Sequence, residues 1–551
     1  MRQPMTRRTF VRASAGAGVA VYLGACGSSA KPSARTIRLP GGSFGFPTPF
    51  AYIASFGYKQ MSYLYDTLLW KDSSGRLLPW LARSVRRSAD GRTYTFELRD
   101  GIRWHDGRPL TAHDVAFTFD YFKRQTLGPL LVALPSNVSA ARARSRLVVE
   151  VQLTVPAVTF PQRVAGALPI IPRHIWSSIE DAPLAQDRKV LVGSGPYLLK
   201  SFSAGEGAYL FEANERYFLG TPFIRRIELR PVEDELSALR AGEIDVADTA
   251  TEGVGPDALS PFRADDAFAI IRSPGLFTFP LIWNLGRGGA LADVRFRRAC
   301  AMAIDRQAIV DRLIGGNGVA GNPGFLPPDH PYHAPVEQYA FDTTAANRLL
   351  DEAGYRRGAG GVRRDGRGRE LRFRILTGNS PIPPVLDLVV QALKGIGVEL
   401  KPQAVDLPTL FTTLQTGSTE MALGLFPGPG GTALNADPDT LRTFYSSAVK
   451  GRVQGAQGWV DAEFDRLAQR QLVTADELER KRLIARMQQI VAADLPLLPL
   501  YYPTLFTVYR RQVFDRWYTT PGGFASGIEG VHNKQVLVTG SKTGVRIRGS
   551  D

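Results

Sequence analysis

Two histidine–aspartate pairs stand eight positions apart in the segment RDGIRWHDGRPLTAHDVAF, residues 99–117. His105 precedes Asp106, and His113 precedes Asp114. Histidine and carboxylate side chains at such short spacing can ligate a metal ion or share a proton in acid–base catalysis. Which of these roles the pairs can play depends on the elements that hold them.

The flanking sequence predicts structural roles for both pairs. RTYTFELR alternates apolar and polar residues, which predicts a strand that ends in the turn DGIRWHDG. LTAHDVAFTFDYFKR predicts a helix with Thr111 as N-cap and Asp114 in the capping-box position. Asp106 and Gly107 supply turn geometry. We therefore expect a turn and a helix cap here, with metal ligation as the alternative.

The N-terminus has the layout of an export signal. Arg7 and Arg8 lie in TRRTFVR, which resembles a twin-arginine signal, and a short apolar stretch follows. LGAC, which ends at Cys26, resembles the lipobox of a bacterial lipoprotein. We expect a signal over residues 1–25, lipidation of Cys26 and a tether over residues 26–35. The protein is thus expected to be exported and anchored to the outer face of the cytoplasmic membrane, in the periplasm or at the cell surface.

Composition excludes several other classes. The formal net charge is +15, but no long Lys/Arg block or aromatic-basic motif predicts binding to nucleic acid. Cys26 and Cys300 are the only cysteines, so lipidation of Cys26 leaves no partner for a disulfide. Cys300 lies on the alanine side of a helical pattern and is expected to be buried.

The order of predicted elements indicates an α/β fold. RELRFRILT, PVLDLVVQALKGIG and VELKPQAVD predict a β-α-β unit with parallel strands, and VGSGPYLLKSFSAGEGAYLFEANERYF predicts a hairpin. DVRFRRACAMAIDRQAIVDRLI predicts one long amphipathic helix.

Five blocks follow one another along the chain, namely the region from YLYDTLLW to LTAHDVAFTF, VGSGPYLL with FEANERYF, LRAGEIDVA, NLGRGGALADVRFRRACAMAIDRQAIV and AANRLLDEAGY. In this order they resemble extracytoplasmic solute-binding proteins of family 5, which serve peptide, nickel and opine ABC importers. The resemblance covers essentially the whole chain after the tether.

This resemblance implies a two-lobe periplasmic-binding-protein clamshell of type II, cluster C, with an extra domain inserted in the first lobe. The implied boundaries are residues 36–57, 190–276 and 495–551 for lobe I, 58–189 for its extra subdomain, and 277–494 for lobe II. Ligand would bind between the lobes and be buried when they close.

The resemblance also implies a function. The protein would capture a peptide or peptide-like solute as a monomer and deliver it to an ABC permease driven by a separate ATPase. The alternatives are a metal chelate such as nickel, an opine or an oligosaccharide as ligand, or a role as ligand sensor. An exported hydrolase would need a nucleophile–base or metal constellation, and we find none in the sequence. No catalytic residue, metal or cofactor is therefore expected.

The candidate ligand contacts come from three segments. GGSFGFPTPFAYIASFGYKQMSYLY is rich in glycine and aromatic residues, as apolar ligand pockets are. Peptide-binding members of the family hold the peptide amine with an aspartate in a lobe II loop, and Leu434 stands at the matching position here, near Asp437 and Asp439. The candidates are Phe44, Phe46, Phe50 and Tyr52 from the glycine-rich segment, Asn284 near the hinge, and Phe426 and Asp437 in the lobe II loop.

Overall fold

The structure is a computed structural model of the chain. It describes residues 35–42, 44–52, 54–125, 137–203, 206–248, 257–273, 277–378, 384–424, 426–427, 438–449, 457–520, 531 and 533–540. The predicted signal, tether and lipidation site, including Arg7, Arg8 and Cys26, lie outside these residues. Within the described ranges, no helix is both long enough and apolar enough to cross a membrane.

Strands occur along the whole described chain. In chain order, β1 to β24 are Thr36–Pro40, Leu69–Lys71, Leu77–Pro79, Ala82–Arg87, Thr93–Leu98, Val138–Ala143, Val148–Leu153, Tyr197–Ser203, Ala208–Ala213, Arg226–Arg230, Val246–Asp248, Phe268–Ser273, Phe277–Thr278, Pro280–Trp283, Gly318–Ala320, Arg356–Arg357, Arg363–Arg364, Arg372–Thr377, Glu399–Ala404, Met421–Leu423, Phe426–Pro427, Leu497–Pro499, Tyr501–Pro503 and Leu505–Arg510.

The α-helices are interspersed with these strands. In chain order, α1 to α14 are Ala54–Leu64, Ala112–Phe122, Arg173–Trp176, Glu235–Ala241, Ser260–Arg263, Val294–Ala303, Arg306–Ile314, Thr343–Glu352, Pro384–Gly395, Leu407–Thr416, Thr440–Tyr445, Ala462–Val473, Glu477–Asp494 and Lys534–Thr539.

The first group of sheets combines strands from both ends of the chain. β8, β9 and β10 form an antiparallel meander, which confirms the predicted hairpin, and β1 pairs in parallel with β10. β24 is antiparallel to both β11 and β12. The Asp245 N–H donates to the Arg38 carbonyl at 2.8 Å, so β1 and β11 are neighbours.

A smaller antiparallel sheet lies within the predicted extra subdomain. Its strand order is β4-β5-β7-β6, and helix α2 packs on β6 and β7. The remaining large sheet has the order β19-β18-β20-β14-β22. In it β18 is parallel to β19 and β20, which confirms the β-α-β unit predicted around α9.

The predicted long helix after residue 293 is wrong, because the structure divides it into α6 and α7. Ile304 has an extended backbone (φ −99°, ψ 111°), and the Asp305 carboxylate accepts the Ala308 N–H at 2.8 Å. An aspartate that caps a new helix stops the preceding one, although the apolar pattern continues across the break.

The buried apolar residues form separate cores. One large core draws on residues 37–246, 269 and 509–538. Two further cores draw only on residues from 279 to 501. The chain leaves the first core for the other two after β12. It returns between β23 and β24, because β22 still pairs with β14 and β23 with β15. The second passage therefore follows residue 503.

Candidate ligand-binding site

A cavity of about 270 Å³ lies where strands β1 and β11 end and helix α4 begins, against helix α1. In open α/β sheets, ligands bind outside the carboxyl ends of the strands. Four polar side chains line this cavity, namely Lys59, Gln60, Glu235 and Asp248. Its apolar walls are Leu39, Phe44, Tyr63 and Leu229.

Close backbone packing shapes one side of the cavity. A Cβ atom at Gly41 would lie 2.7 Å from the Arg230 carbonyl carbon and 2.7 Å from the Gly207 oxygen. A Cβ atom at Gly42 would lie 2.9 Å from the Phe44 ring. These glycines let the segment after β1 fold back tightly over the sheet, and this places Phe44 at the cavity wall.

Lys59 and Asp248 form an ion pair inside the cavity. The Lys59 Nζ atom donates to Asp248 Oδ2 at 3.1 Å, and the Thr507 hydroxyl donates to Asp248 Oδ1 at 2.6 Å. The two charged side chains are 11% and 17% exposed. Residues from α1, β11 and β24 thus meet in one hydrogen-bonded group.

Glu235 is the second carboxyl group of the cavity. Its Oε2 atom accepts the Asp248 N–H at 2.8 Å. Burial, with the Asp248 charge next in weight, raises the pKa of Glu235 to about 8, and Lys59 only partly offsets this. The Glu235 carboxyl group therefore carries a proton over much of the neutral range.

Gln60 is buried without a hydrogen bond to its carbonyl oxygen. The residue is 2% exposed, and its Oε1 atom has no partner among the residues that the structure describes. A buried polar atom without a partner costs free energy, and a water molecule or a donor group of a ligand would supply the missing hydrogen bond.

The four aromatic candidates from the glycine-rich segment separate into two groups. Phe44 lines the cavity. Phe46 is buried edge-on against Phe202, and Tyr52 is buried edge-on against Tyr58. Phe50 is buried among Tyr121, Phe122 and Trp176, with ring centroids between 4.9 and 5.6 Å away. Of the four, Phe44 is therefore the candidate ligand contact at this cavity.

The candidates of the second lobe have other placements. The Asn284 side chain forms hydrogen bonds within the protein. It donates to the carbonyls of Gly417 and Thr419 and accepts the Gly286 N–H. Phe426 belongs to β21, which pairs with β13. Asp437 and Leu434 lie outside the described residues.

Asp439, close to that loop, is fully buried in an ion-pair cluster. Its carboxylate pairs with Arg163 from the segment before α3 and with Arg442 at 2.7 Å, and it accepts from Gln471 at 2.6 Å. Burial alone would raise the pKa of Asp439, but Arg163 and Arg442 lower it below its ordinary value. The contact between Arg163 and Asp439 therefore joins the part of the chain around the first core to the part that forms the cores of residues 279–501.

The histidine–aspartate pairs have the structural roles that the sequence predicts. Asp114 accepts the Thr111 N–H at 2.9 Å at the start of α2, and His113 is exposed. His105 is half-buried, donates from Nε2 to the Gly195 carbonyl at 2.9 Å, and accepts the Gly193 N–H on Nδ1 at 3.2 Å. It therefore holds the GSG turn of the block VGSGPYLL in place.

The described residues hold no group of three His, Cys, Asp or Glu side chains arranged as metal ligands. Cys300 is fully buried in a core, as expected, and burial raises the pKa of its thiol. The cavity itself has charged and apolar walls.

The sequence alone does not identify Lys59, Gln60, Glu235 or Asp248 as residues of this cavity. The one local signal is the polar pair Lys59–Gln60 inside the otherwise apolar helix GYKQMSYLY. Glu235 and Asp248 look like an ordinary helix start and strand end, and only the fold brings all four together.

Comparisons with known proteins place the chain among binding proteins. A family model described as "Bacterial extracellular solute-binding proteins, family 5 Middle" matches residues 76–452. The oligopeptide-binding protein AppA of Bacillus subtilis is 26% identical, over 88% of this chain and 91% of that protein. The nickel-binding periplasmic protein of Escherichia coli is 24% identical, over 82% and 86%. The crystal structure of NikA from Brucella suis in complex with Fe(III)-EDTA is 23% identical, with a TM-score of 0.76 over 90% of this chain and 99% of that one.

Proposed function

The chain belongs to the bacterial extracellular solute-binding proteins of family 5 and has their two-lobe clamshell fold, and from this premise we propose that it captures a peptide or peptide-like solute for an ABC importer. The cavity at the ends of β1 and β11 carries the proposal. It combines apolar walls with an unsatisfied amide oxygen and buried charges, which suits a solute with both apolar and polar parts. We propose Phe44 and Gln60 as ligand contacts of lobe I.

Capture is proposed to work through lobe closure. A solute that touches both lobes stabilises the closed form by its differential affinity for that form. The ion pair between Arg163 and Asp439 connects the two core regions and would be made in the closed form. We propose that the chain returns to lobe I at the end of residues 495–503, where β22 still pairs with β14 and β23 with β15.

A metal chelate is the second candidate ligand. The relative named as a nickel-binding periplasmic protein and the NikA complex with Fe(III)-EDTA favour it. The relative named as oligopeptide-binding is slightly more identical to this chain, at 26%, than the relative named as nickel-binding, at 24%, so peptide stays first.

We further propose that Cys26 carries a lipid after export through the twin-arginine route, and that the protein works as a monomer beside its permease. Arg7, Arg8 and the LGAC sequence support this. Cys26→Ala should move the protein from the membrane fraction to the soluble extracytoplasmic fraction. Retention of this variant on the membrane would contradict the lipid anchor.

Native mass spectrometry of residues 32–551 tests the ligand class directly. The intact mass reports any solute that is retained, and denaturation releases it for identification. Released peptides would support the leading proposal. A released metal chelate, opine or sugar would replace it with the corresponding alternative.

A further inference from the structure

The charges around the cavity do not balance when both carboxyl groups are ionised. Lys59 from α1 is the one cation among the described lining residues, and it already pairs with Asp248. Glu235 has no cation of its own there. Asp234, which precedes α4, adds further negative charge nearby. Tyr63 on α1 is uncharged at neutral pH, because burial raises its pKa.

The cavity avoids the unbalanced charge by keeping a proton on Glu235. Burial and Asp248 raise the pKa of this carboxyl group to about 8. A cation that entered the cavity would supply the missing positive charge, and Glu235 would then release its proton.

The neutral acceptor in the cavity points to the same ligand chemistry. Gln60 is 2% exposed and its Oε1 atom has no partner among the described residues. An ammonium group has three N–H donors and no acceptor, so its chemistry matches a cavity whose lining residues Gln60, Glu235 and Asp248 carry acceptor oxygens. A carboxylate has no N–H or O–H group to donate to the Gln60 oxygen, and its negative charge would add to that of Asp248.

The apolar walls match the rest of such a group. Leu39, Phe44, Tyr63 and Leu229 surround the polar end with aliphatic and aromatic surface. Methylene groups pack well on such walls while a charged head reaches polar partners, and an aromatic face also attracts a cation.

We propose that this cavity is a subsite for a primary ammonium group on an alkyl chain, held by Gln60, Glu235 and Asp248. A lysine side chain and a free alkylamine share this chemistry. The proposal rests on the proposed function for its place in a captured solute, but the subsite can be tested without that solute.

The first test uses n-butylammonium chloride, n-butanol and sodium butyrate as probes of equal length, titrated into residues 32–551 and followed by ligand-observed NMR. We expect n-butylammonium to bind at least about tenfold more tightly than n-butanol, and butyrate not to bind. The affinity for n-butylammonium should rise between pH 6 and pH 9 as Glu235 gives up its proton more readily.

Two variants separate the contributions. Glu235→Gln should abolish the pH dependence of n-butylammonium binding, and Gln60→Leu should weaken binding but keep the pH dependence. Glu463→Gln, which removes a surface carboxyl paired with Arg486, is the control and should behave as the wild type. Equal binding of n-butanol, tighter binding of butyrate, or an unchanged pH profile in Glu235→Gln would each overturn the proposal.

A second series distinguishes the source of the ammonium group. Tripeptides blocked at both ends, with lysine, norleucine or glutamate in the middle, are compared with unblocked trialanine. Preference for the lysine peptide assigns the subsite to a side chain, and preference for trialanine assigns it to a peptide amine. If n-butylammonium binds and no peptide does, the subsite stands and peptide capture fails.

Discussion

His105 shows how one half-buried side chain can look catalytic in the sequence and stabilise a turn in the fold. Its two ring nitrogens contact the Gly193 N–H and the Gly195 carbonyl. Neither glycine tolerates a side chain, because a Cβ atom at either would collide with the Leu64 carbonyl. The His105 imidazole therefore stabilises a glycine turn that lies 88 to 90 residues later in the chain.

His105→Ala should lower the free energy of unfolding by about 1–3 kcal/mol, because it leaves buried backbone groups without partners. Affinity for the ligand should change by less than about tenfold, or 1.4 kcal/mol. Chemical denaturation and ligand titration measure the two effects. His113→Ala, at an exposed position, should change neither. A larger loss of affinity in a folded His105→Ala protein would contradict the structural role.

Glu235 should make stability depend on pH in the opposite sense from most carboxyl groups. Its pKa is about 8 in the folded protein against an ordinary value of 4.5. Between these values the folded state holds a proton that the unfolded state has released, so stability falls as pH rises through this window. Glu235→Gln should remove this loss, because the glutamine amide does not ionise, and it can still accept the Asp248 N–H. Chemical denaturation from pH 5 to pH 9 should show the free energy of unfolding of the variant increasing relative to that of the wild type as pH rises. A difference that does not change with pH would contradict the raised pKa of Glu235.

At the scale of elements, the C-terminal helix α14 is fixed to the N-terminal half by a buried charge. The Lys534 Nζ atom donates to Asp66 at 2.7 Å and to the carbonyls of Ser62 and Tyr65, and it lies 4.2 Å from the centre of the Trp70 ring. Both charged side chains are fully buried. This contact closes the first core across more than four hundred residues of sequence.

Lys534→Met should therefore destabilise the protein by about 3–5 kcal/mol, since it leaves the Asp66 charge buried without its cation. The double variant with Asp66→Asn should recover part of the loss. Lys481→Met breaks an exposed pair with Glu477 and should cost less than about 1 kcal/mol. Thermal and chemical denaturation compare the three proteins. A Lys534→Met protein as stable as the Lys481→Met control would refute the role of this contact.

At the scale of the whole molecule, the pair between Arg163 and Asp439 joins elements of separate cores. Phe160 and Val164, which flank Arg163 in sequence, lie in the first core. Leu441 and Tyr445, which follow Asp439, lie in one of the two cores formed by residues 279–501. The Val158 N–H donates to the Leu472 carbonyl at 3.0 Å beside it. These contacts would be broken if the two regions rotated apart here.

Arg163→Met should therefore favour an open form. We expect a larger radius of gyration by small-angle X-ray scattering and an apparent ligand affinity lower by about tenfold, because less of the protein is closed. Arg442→Met removes a partner of the same carboxylate from within its own region and should leave the radius of gyration unchanged. Equal behaviour of the two variants would show that the Arg163 contact does not hold the regions together.

The sequence by itself determined those features that depend on neighbouring residues or on motifs that members of the family share. The cap at Asp114, the β8–β9 hairpin, the β-α-β unit around α9 and the membership of the family all follow from local patterns or ordered motifs. Local patterns did not predict the break between α6 and α7. One apolar stripe runs through both helices, and its periodicity does not show the new helix cap at Asp305.

Only the tertiary structure decided which residues form the cavity. Lys59 and Asp248 are 189 positions apart in sequence, and their contact depends on the pairing of strands from both ends of the chain. The aromatic segment before α1 predicts an apolar wall, but composition cannot tell Phe44, at the cavity, from Phe50, in the core. Burial and charge pairing arise from long-range packing, and for that reason the candidate site could not be predicted residue by residue.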